Sequence, residues 1–174
     1  GRGSTLSEEE KSNLSRIHRN VVRLEHFVTS LLELSKIERG KLDFHPQRGS
    51  LTGIVEDTAL FFKPKAREAG ISLSFASAPG MPSSVFDPDM ISQVVTNLLA
   101  NAIKFTRKGG SIRITSQPKD GGIEVAVEDS GVGIPQDALA RVFQPFERIK
   151  NPLRSTGAGL GLYICKSIIE MHGG

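Results

Sequence analysis

Asn97-Leu98-Leu99-Ala100-Asn101-Ala102-Ile103-Lys104 sets two amides and an ammonium at spacings of four and three. On an α-helix those three positions project from one face, while Leu98, Leu99 and Ile103 turn inward. The helix is opened by Asp87-Pro88, an N-cap residue followed by proline at the first helical position. Its apolar positions are Ile91, Val94, Val95, Leu98, Leu99, Ala102 and Ile103. Amide oxygens suit a hard cation such as Mg²⁺, and a lysine suits phosphate. Taken alone, a solvated helix face is the better reading. The second asparagine weighs against it, because Asn is a poor choice for a helix interior.

Working outward, strands and helices alternate on both sides. Upstream, residues 41–47 read as a short edge strand, its edge character suggested by Pro46. Residues 50–68 read as a helix that is apolar at Leu51, Ile54, Val55, Thr58 and Phe62, with Pro64 kinking or shortening it. Residues 71–75 alternate as a half-buried strand does, 80–83 form a loop, and Val85-Phe86 is a brief strand. Downstream of Gly109-Gly110, residues 111–117 and 123–128 are strands joined into a hairpin by Asp120-Gly121-Gly122. A short helix at 136–141, a polar lid and a last helix at 160–171 complete the chain. This pattern predicts an α+β fold, a two-layer α/β sandwich with helices on one face of a mixed sheet.

Residues 8–38 carry a different texture, one long helical pattern without Pro or Gly. Leu14, Ile17, Val21, Leu24, Val28 and Leu31 recur every three or four residues, the seam of a coiled coil or helical bundle. A helix of this length cannot bury such a stripe alone, so it needs partners. The expected organisation is a tag or linker at 1–6, a long helix at 7–40 and an α/β domain at 41–174.

Composition excludes some classes of function. The 174 residues contain 38% hydrophobic and 24% charged residues, as a soluble globular chain does. A net charge of +3 is too small to argue for nucleic acid, and no basic stripe is present. A single cysteine, Cys165, rules out an internal disulfide and fits a reducing compartment. No apolar run reaches the length of a membrane span.

Three further segments carry chemistry. In Glu128-Asp129-Ser130-Gly131-Val132-Gly133-Ile134-Pro135 a carboxylate follows a strand, where it can accept from an exocyclic amine such as that of adenine. Gly131 and Gly133 let the backbone approach a flat ring, although alone the segment is better read as an ordinary Asp-Ser-Gly turn. In Gly157-Ala158-Gly159-Leu160-Gly161-Leu162, directly before an apolar helix, free backbone N–H groups can cradle phosphate. It is neither a Walker loop nor a dinucleotide fingerprint, and a flexible loop before a tight helix start is its bland reading. Between the two lie Phe143, Pro145 and Phe146, then Glu147-Arg148-Ile149-Lys150. Aromatics followed by basic residues suit a lid over an anionic substrate, or simply core aromatics beside a polar loop.

Each signal is moderate, and their order is specific. The series Asn helix, Asp-x-Gly-x-Gly, Phe-x-x-Phe, Gly-x-Gly-x-Gly resembles the four nucleotide-binding boxes of the GHKL superfamily (gyrase, Hsp90, histidine kinases, MutL). The wording is most similar to sensor histidine kinases: Asn-Leu-Leu-Ala-Asn-Ala-Ile-Lys-Phe-Thr, Phe-Gln-Pro-Phe-Glu-Arg and Gly-Ala-Gly-Leu-Gly-Leu-Tyr-Ile. The resemblance covers residues 41–174, and the preceding helix resembles the second helix of the kinase dimerisation hairpin. It implies the Bergerat-type sandwich, ATP and Mg²⁺ as ligands, and transfer of the γ-phosphoryl group to a histidine.

By the same resemblance Asp129 would bind the adenine amine, with Gly131 and Gly133 shaping that pocket, and Phe105 and Ile134 would be among the nucleotide-binding residues. Asn101 would ligate Mg²⁺ with Asn97 beside it, and Lys104 and Arg148 would contact phosphates. Phe143 and Phe146 would line the lid, Gly157, Gly159 and Gly161 would wrap the phosphates, and Thr156, Ala158, Leu160 and Leu162 would be among the nucleotide-binding residues. Position 97 is typically a glutamate in the ATPase branches, where it activates water. An amide cannot take that proton, which favours transfer over hydrolysis.

The chain also departs from the family pattern. The phosphoacceptor normally lies on the first hairpin helix, before an acidic residue, and none of His18, His26, His45 and His172 has that context. The chain stops at Gly173-Gly174, where relatives continue into further strands. The expectation is therefore a catalytic fragment that binds ATP and does not phosphorylate itself until a first helix is supplied. Its partners would be that histidine, a response-regulator receiver domain and a second copy meeting through the long helix. Its location would be cytoplasmic, with a parent anchored in the inner membrane left open. The rivals are a GHKL ATPase of the topoisomerase or chaperone type and a non-catalytic nucleotide-sensing dimerisation module.

Overall fold

The structure, a computed structural model, describes residues 6–149 and 157–174. It divides into two compact units, Gly1–Leu42 and Asp43–Gly174. The first holds a single long helix, α1 (Glu8–Glu38), as the uninterrupted seam predicts. Ser7 caps it through a full capping box, its hydroxyl accepting from the Glu10 amide while Glu10 reaches back to the Ser7 N–H. Leu14, Ile17, Val21 and Leu24 on the seam are each more than half exposed.

In the second unit the order is β1 (Gln47–Gly49), α2 (Leu51–Glu68), β2 (Ser72–Ser77), β3 (Ser84–Phe86), α3 (Pro88–Phe105), β4 (Ser111–Lys119), β5 (Gly122–Asp129), a 3-10 turn at Gln136–Ala138 and α4 (Gly161–Met171). β1 and β3 form an antiparallel ribbon, and the main sheet runs β2-β4-β5. β2 pairs with β4 in parallel and β4 with β5 antiparallel, so the sheet is mixed. The parallel step needs a crossover, and α3 lies within it.

The core forms where the apolar stripes of α2 and α3 meet the inward face of β4. Val55, Ala59, Phe62 and Ala66 come from α2, Ile91, Val95, Leu99, Ala102 and Ile103 from α3, and Ile112 and Ile114 from β4. Leu73 and Phe75 of β2 and Val125 and Val127 of β5 close its edges. Burying one such Leu or Ile side chain contributes about 1.5–3 kcal/mol, so α3 is held to the sheet by several such contributions.

Four local expectations change. The first strand is Gln47–Gly49 rather than 41–47, because Pro46 cannot donate to a ladder and the pairing begins just after it. Pro64 does not shorten α2, which runs on to Glu68. The hairpin turn contracts to Asp120-Gly121, with φ of 50° and 80°, the two positive values that a tight type I′ turn requires. The helix expected at 136–141 is a single 3-10 turn.

Candidate functional site

α3 is the element on which the site is built. Its N-cap Asp87 is buried, and Oδ1 accepts from the amides of Asp89 and Met90 at 3.1 Å each while Oδ2 accepts from the His45 N–H at 2.8 Å. Burial opposes ionisation of this carboxyl, but those three N–H donors outweigh it and hold Asp87 below the usual aspartate range. Along the helix, Asn97 and Asn101 are half-buried and Lys104 is exposed, with Leu99 and Ile103 buried on the opposite face and Leu98 only half-buried.

The Asp129 segment closes onto the last turn of α3. Asp129 ends β5, and its Oδ1 accepts from the Gly131 N–H at 2.8 Å. The Val132 amide donates to the Phe105 carbonyl at 3.2 Å. A Cβ at Gly131 would stand 2.5 Å from both Phe105 O and Asp129 Oδ1, so only glycine permits this approach. Gly133 has a φ of 69° and no neighbour within 4 Å, so there glycine serves backbone conformation rather than packing.

The glycine loop meets the same helix at Lys104 and Asn97. A Cβ at Gly157 would stand 3.3 Å from Lys104 Nζ, and one at Gly161 would stand 3.6 Å from Asn97 Oδ1. Gly159, at φ 74°, lies against the backbone of Phe146 and Glu147, where a Cβ would come within 2.7 Å of Glu147 O. The third segment is thereby brought into the group. Phe146 has a φ of 63°, and Glu147 pairs with Arg141 at 2.8 Å. Phe143, Phe146 and Ile134 are about half exposed and so leave apolar surface beside the site.

Lys104 carries the electrostatic signature. Desolvation of its ammonium, and then the nearby Arg148 charge, lower its pKa from the ordinary lysine value. The residue as a whole is exposed, so the desolvation belongs to its tip, which lies 4.8 Å over the Phe105 ring. Two cations held close together form an anion-seeking feature.

Sequence reasoning gave no site role to Cys165 of α4 or to His172, the residue that follows α4 as its C-cap. Cys165 is buried, its Sγ lies 3.8 Å from Val94 O, and its thiol is pushed up to about 11 by burial despite a hydrogen bond from the Asn97 side chain. His172 bonds the Asp87 amide at 3.0 Å. The available signal for Cys165 was its place one turn after Gly161 on α4, and His172 had none. Leu160 has its side chain in the core, so only its backbone lies at the loop, while Ala158 and Leu162 are half-buried. Thr156 and most of the lid lie outside the described residues.

The residues fit a nucleotide. The glycine approaches leave backbone beside Lys104 and Asn97, and the Asp129 segment stands against the last turn of the same helix, at Phe105. Among the described residues no group of three or more His, Cys, Asp or Glu could hold a metal ion. A Mg²⁺ ion here would thus depend on amide oxygens and on the phosphates it accompanies.

The profile of the family described as "Histidine kinase-, DNA gyrase B-, and HSP90-like ATPase" matches residues 86–174. The chain is 36% identical over 164 residues to the non-motile and phage-resistance protein of Caulobacter vibrioides, covering 91% of this chain and 19% of that protein. It is 32% identical over 173 residues to the circadian input-output histidine kinase CikA of Synechococcus elongatus, covering 97% of this chain and 23% of that protein. Full-length ShkA, solved in complex with AMPPNP, superposes with a TM-score of 0.82 at 27% identity, over 98% of this chain and 35% of that one. The catalytic domain of the histidine kinase ThkA gives 0.66 at 31% identity, over 74% of this chain and 83% of that one. ThkA in complex with the response regulator protein TrrA gives 0.76 at 27% identity, over 99% of this chain and 48% of that one. The chain spans 19–33% of the length of the first curated relatives it matches. With a mixed sheet under two helices and a glycine loop opposite an asparagine face, the chain belongs to the histidine kinase-, DNA gyrase B- and HSP90-like ATPase family, and its similarities within that family lie with histidine kinases.

Proposed function

We propose that this chain is the ATP-binding catalytic portion of a sensor histidine kinase, transferring the γ-phosphoryl group of ATP to a histidine other than the four it contains. The observation that carries the reading is the convergence on α3. Gly131 closes on Phe105, Gly157 on Lys104 and Gly161 on Asn97, so one helix borders both an amine-accepting carboxylate and a phosphate-wrapping loop.

In this reading the adenine amine donates to Asp129, whose Oδ1 is already oriented by the Gly131 amide. Phe105, Gly133 and Ile134 border the base, and Phe143 and Phe146 cover the site from the lid side. Lys104 and Arg148 face the phosphates, where their mutual repulsion is relieved by negative charge. Gly157, Gly159 and Gly161 offer N–H groups, and the N-terminus of α4 adds positive potential. Mg²⁺, held by Asn101 with Asn97 beside it, would supply charge neutralisation on the phosphates. Asn97 cannot take a proton from water, so the site orients an in-line transfer instead of activating hydrolysis.

The same reading gives the chain its partners. The exposed α1 seam suits a homodimer, and a receiver domain would take the phosphoryl group from the histidine, as the ThkA–TrrA complex supports by analogy. Among the described residues no helix is long and apolar enough to cross a membrane, and we place the catalytic portion in the cytoplasm.

Calorimetric titration with ATP and Mg²⁺ tests the site. Asp129→Ala removes a hydrogen bond to a charged group and should weaken binding about 10-fold or more. Asn101→Ala should weaken ATP binding in Mg²⁺ far more than in EDTA. Unchanged affinity in both variants overturns the assignment.

A further inference from the structure

α4 runs antiparallel along α3, and three contacts give its register. Gly161 faces Asn97, with 3.6 Å between a Cβ there and Oδ1. Cys165 Sγ lies 3.8 Å from Val94 O. At the far end His172 Nε2 lies 3.0 Å from the Asp87 N. As numbers rise along one helix they fall along the other, so the two pack over the whole length of α4.

The His172 contact differs from the other two in being held on every side. A backbone N–H can only donate, so Nε2 accepts, and Nδ1 therefore carries the hydrogen that goes to Ile168 O at 2.7 Å. The ring meets Phe44 edge-on, with centroids 4.9 Å apart. Asp87 is itself fixed, since its carboxylate caps α3 through two amides and takes a third from His45. His172 thus ties the end of α4 to the hydrogen-bonded cap at the start of α3. An α-helix is stiff along its axis, so displacement at His172 carries through to the glycine loop at the other end.

We propose that His172 is a positioning residue for the phosphate-facing loop: by accepting the Asp87 amide it sets how far α4 slides along α3. That distance decides where Gly157, Gly159 and Gly161 stand relative to Asn97 and Lys104. The proposal rests on the reading of this site as a nucleotide site. Gly131 closes on Phe105 at the end of α3 opposite to Asp87, so adenosine binding should not depend on His172.

NMR titration of the ¹⁵N-labelled chain with ADP and with adenosine, both in Mg²⁺, tests it. His172→Phe keeps a ring against Phe44 but has no acceptor. Its ADP dissociation constant should rise about 10-fold, the worth of one well-placed hydrogen bond, while that of adenosine stays within about 2-fold. The Gly159 and Gly161 amide resonances should move in the ligand-free variant while that of Gly133 stays. His172→Gln, whose amide oxygen falls near the Nε2 position, should restore ADP binding to within about 3-fold of wild type. If His172→Phe does not fold, His172→Asn, too short to reach Asp87, takes its place against the Gln variant. Equal losses for ADP and adenosine, no loss for ADP, or no rescue by Gln each overturn the proposal. A wild type that binds neither ligand sinks the nucleotide reading and the proposal with it. A wild type that binds both, beside an indifferent His172→Phe, sinks the proposal alone.

Discussion

Lys104 is less basic than a free lysine, first because its tip is desolvated and then because Arg148 stands near it. Both causes penalise the charged form, and a bound polyphosphate reverses them by adding negative charge within reach. Its pKa should therefore rise when ADP binds. Ligand-free Lys104 loses its proton below the ordinary value of 10.5, so binding in alkaline solution is accompanied by proton uptake. ADP affinity should then fall as pH climbs through the ligand-free pKa. A ¹³Cε titration of Lys104 with and without ADP checks the sign, and a drop or no change would separate this lysine from the phosphates. At this scale residue types were legible, because amides, an ammonium and a carboxylate each have a limited chemistry. The hydrogen bond from the Asn97 side chain to Cys165 was not, since it joins two helices through residues 68 positions apart (165 − 97).

Among the elements, the loops depend on glycine for different reasons, and substitution should rank them. Gly159→Ala combines a positive φ with backbone at 2.7 Å, and Gly131→Ala meets the Phe105 carbonyl at 2.5 Å. Neither obstacle is a flexible side-chain end, so the loops themselves must move. Gly133→Ala faces open space and carries only the left-handed backbone cost, about 1–2 kcal/mol. Thermal melts and ADP titration should therefore find Gly133→Ala the mildest of the three, and a reversed order would contradict the packing described. Helices were the most legible elements. Asp87-Pro88 marked the start of α3, and the 3.6-residue periodicity marked its buried face. The short strand and the 3-10 turn were misjudged because a three-residue element has too few side chains to show a period.

For the molecule as a whole, the two units make a prediction about independence. Residues 43–174 contain the complete α2–α3–β4 core and every described site residue, so a chain lacking 1–42 should fold alone. It should melt cooperatively and bind ADP within about 2-fold of the longer chain, as calorimetry would show. Loss of binding with the fold retained would mean that α1 contributes to the site. The long helix, with Leu14, Ile17, Val21 and Leu24 exposed, should in turn govern self-association, which sedimentation would follow.

The sequence by itself determined the elements and the kind of site: helix periods, caps and turn residues are local, and the four ordered motifs carry their chemistry in their residue types. Only the tertiary structure decided which motifs meet, because closeness in space between residues 97 and 161, 105 and 131, or 146 and 159 is produced by packing. It also turned His172, without any motif context in the sequence, into the end-point of a hydrogen-bonded tie between α4 and α3. A side chain's partner across a fold is set by how whole helices lie on a sheet, and no local pattern encodes that.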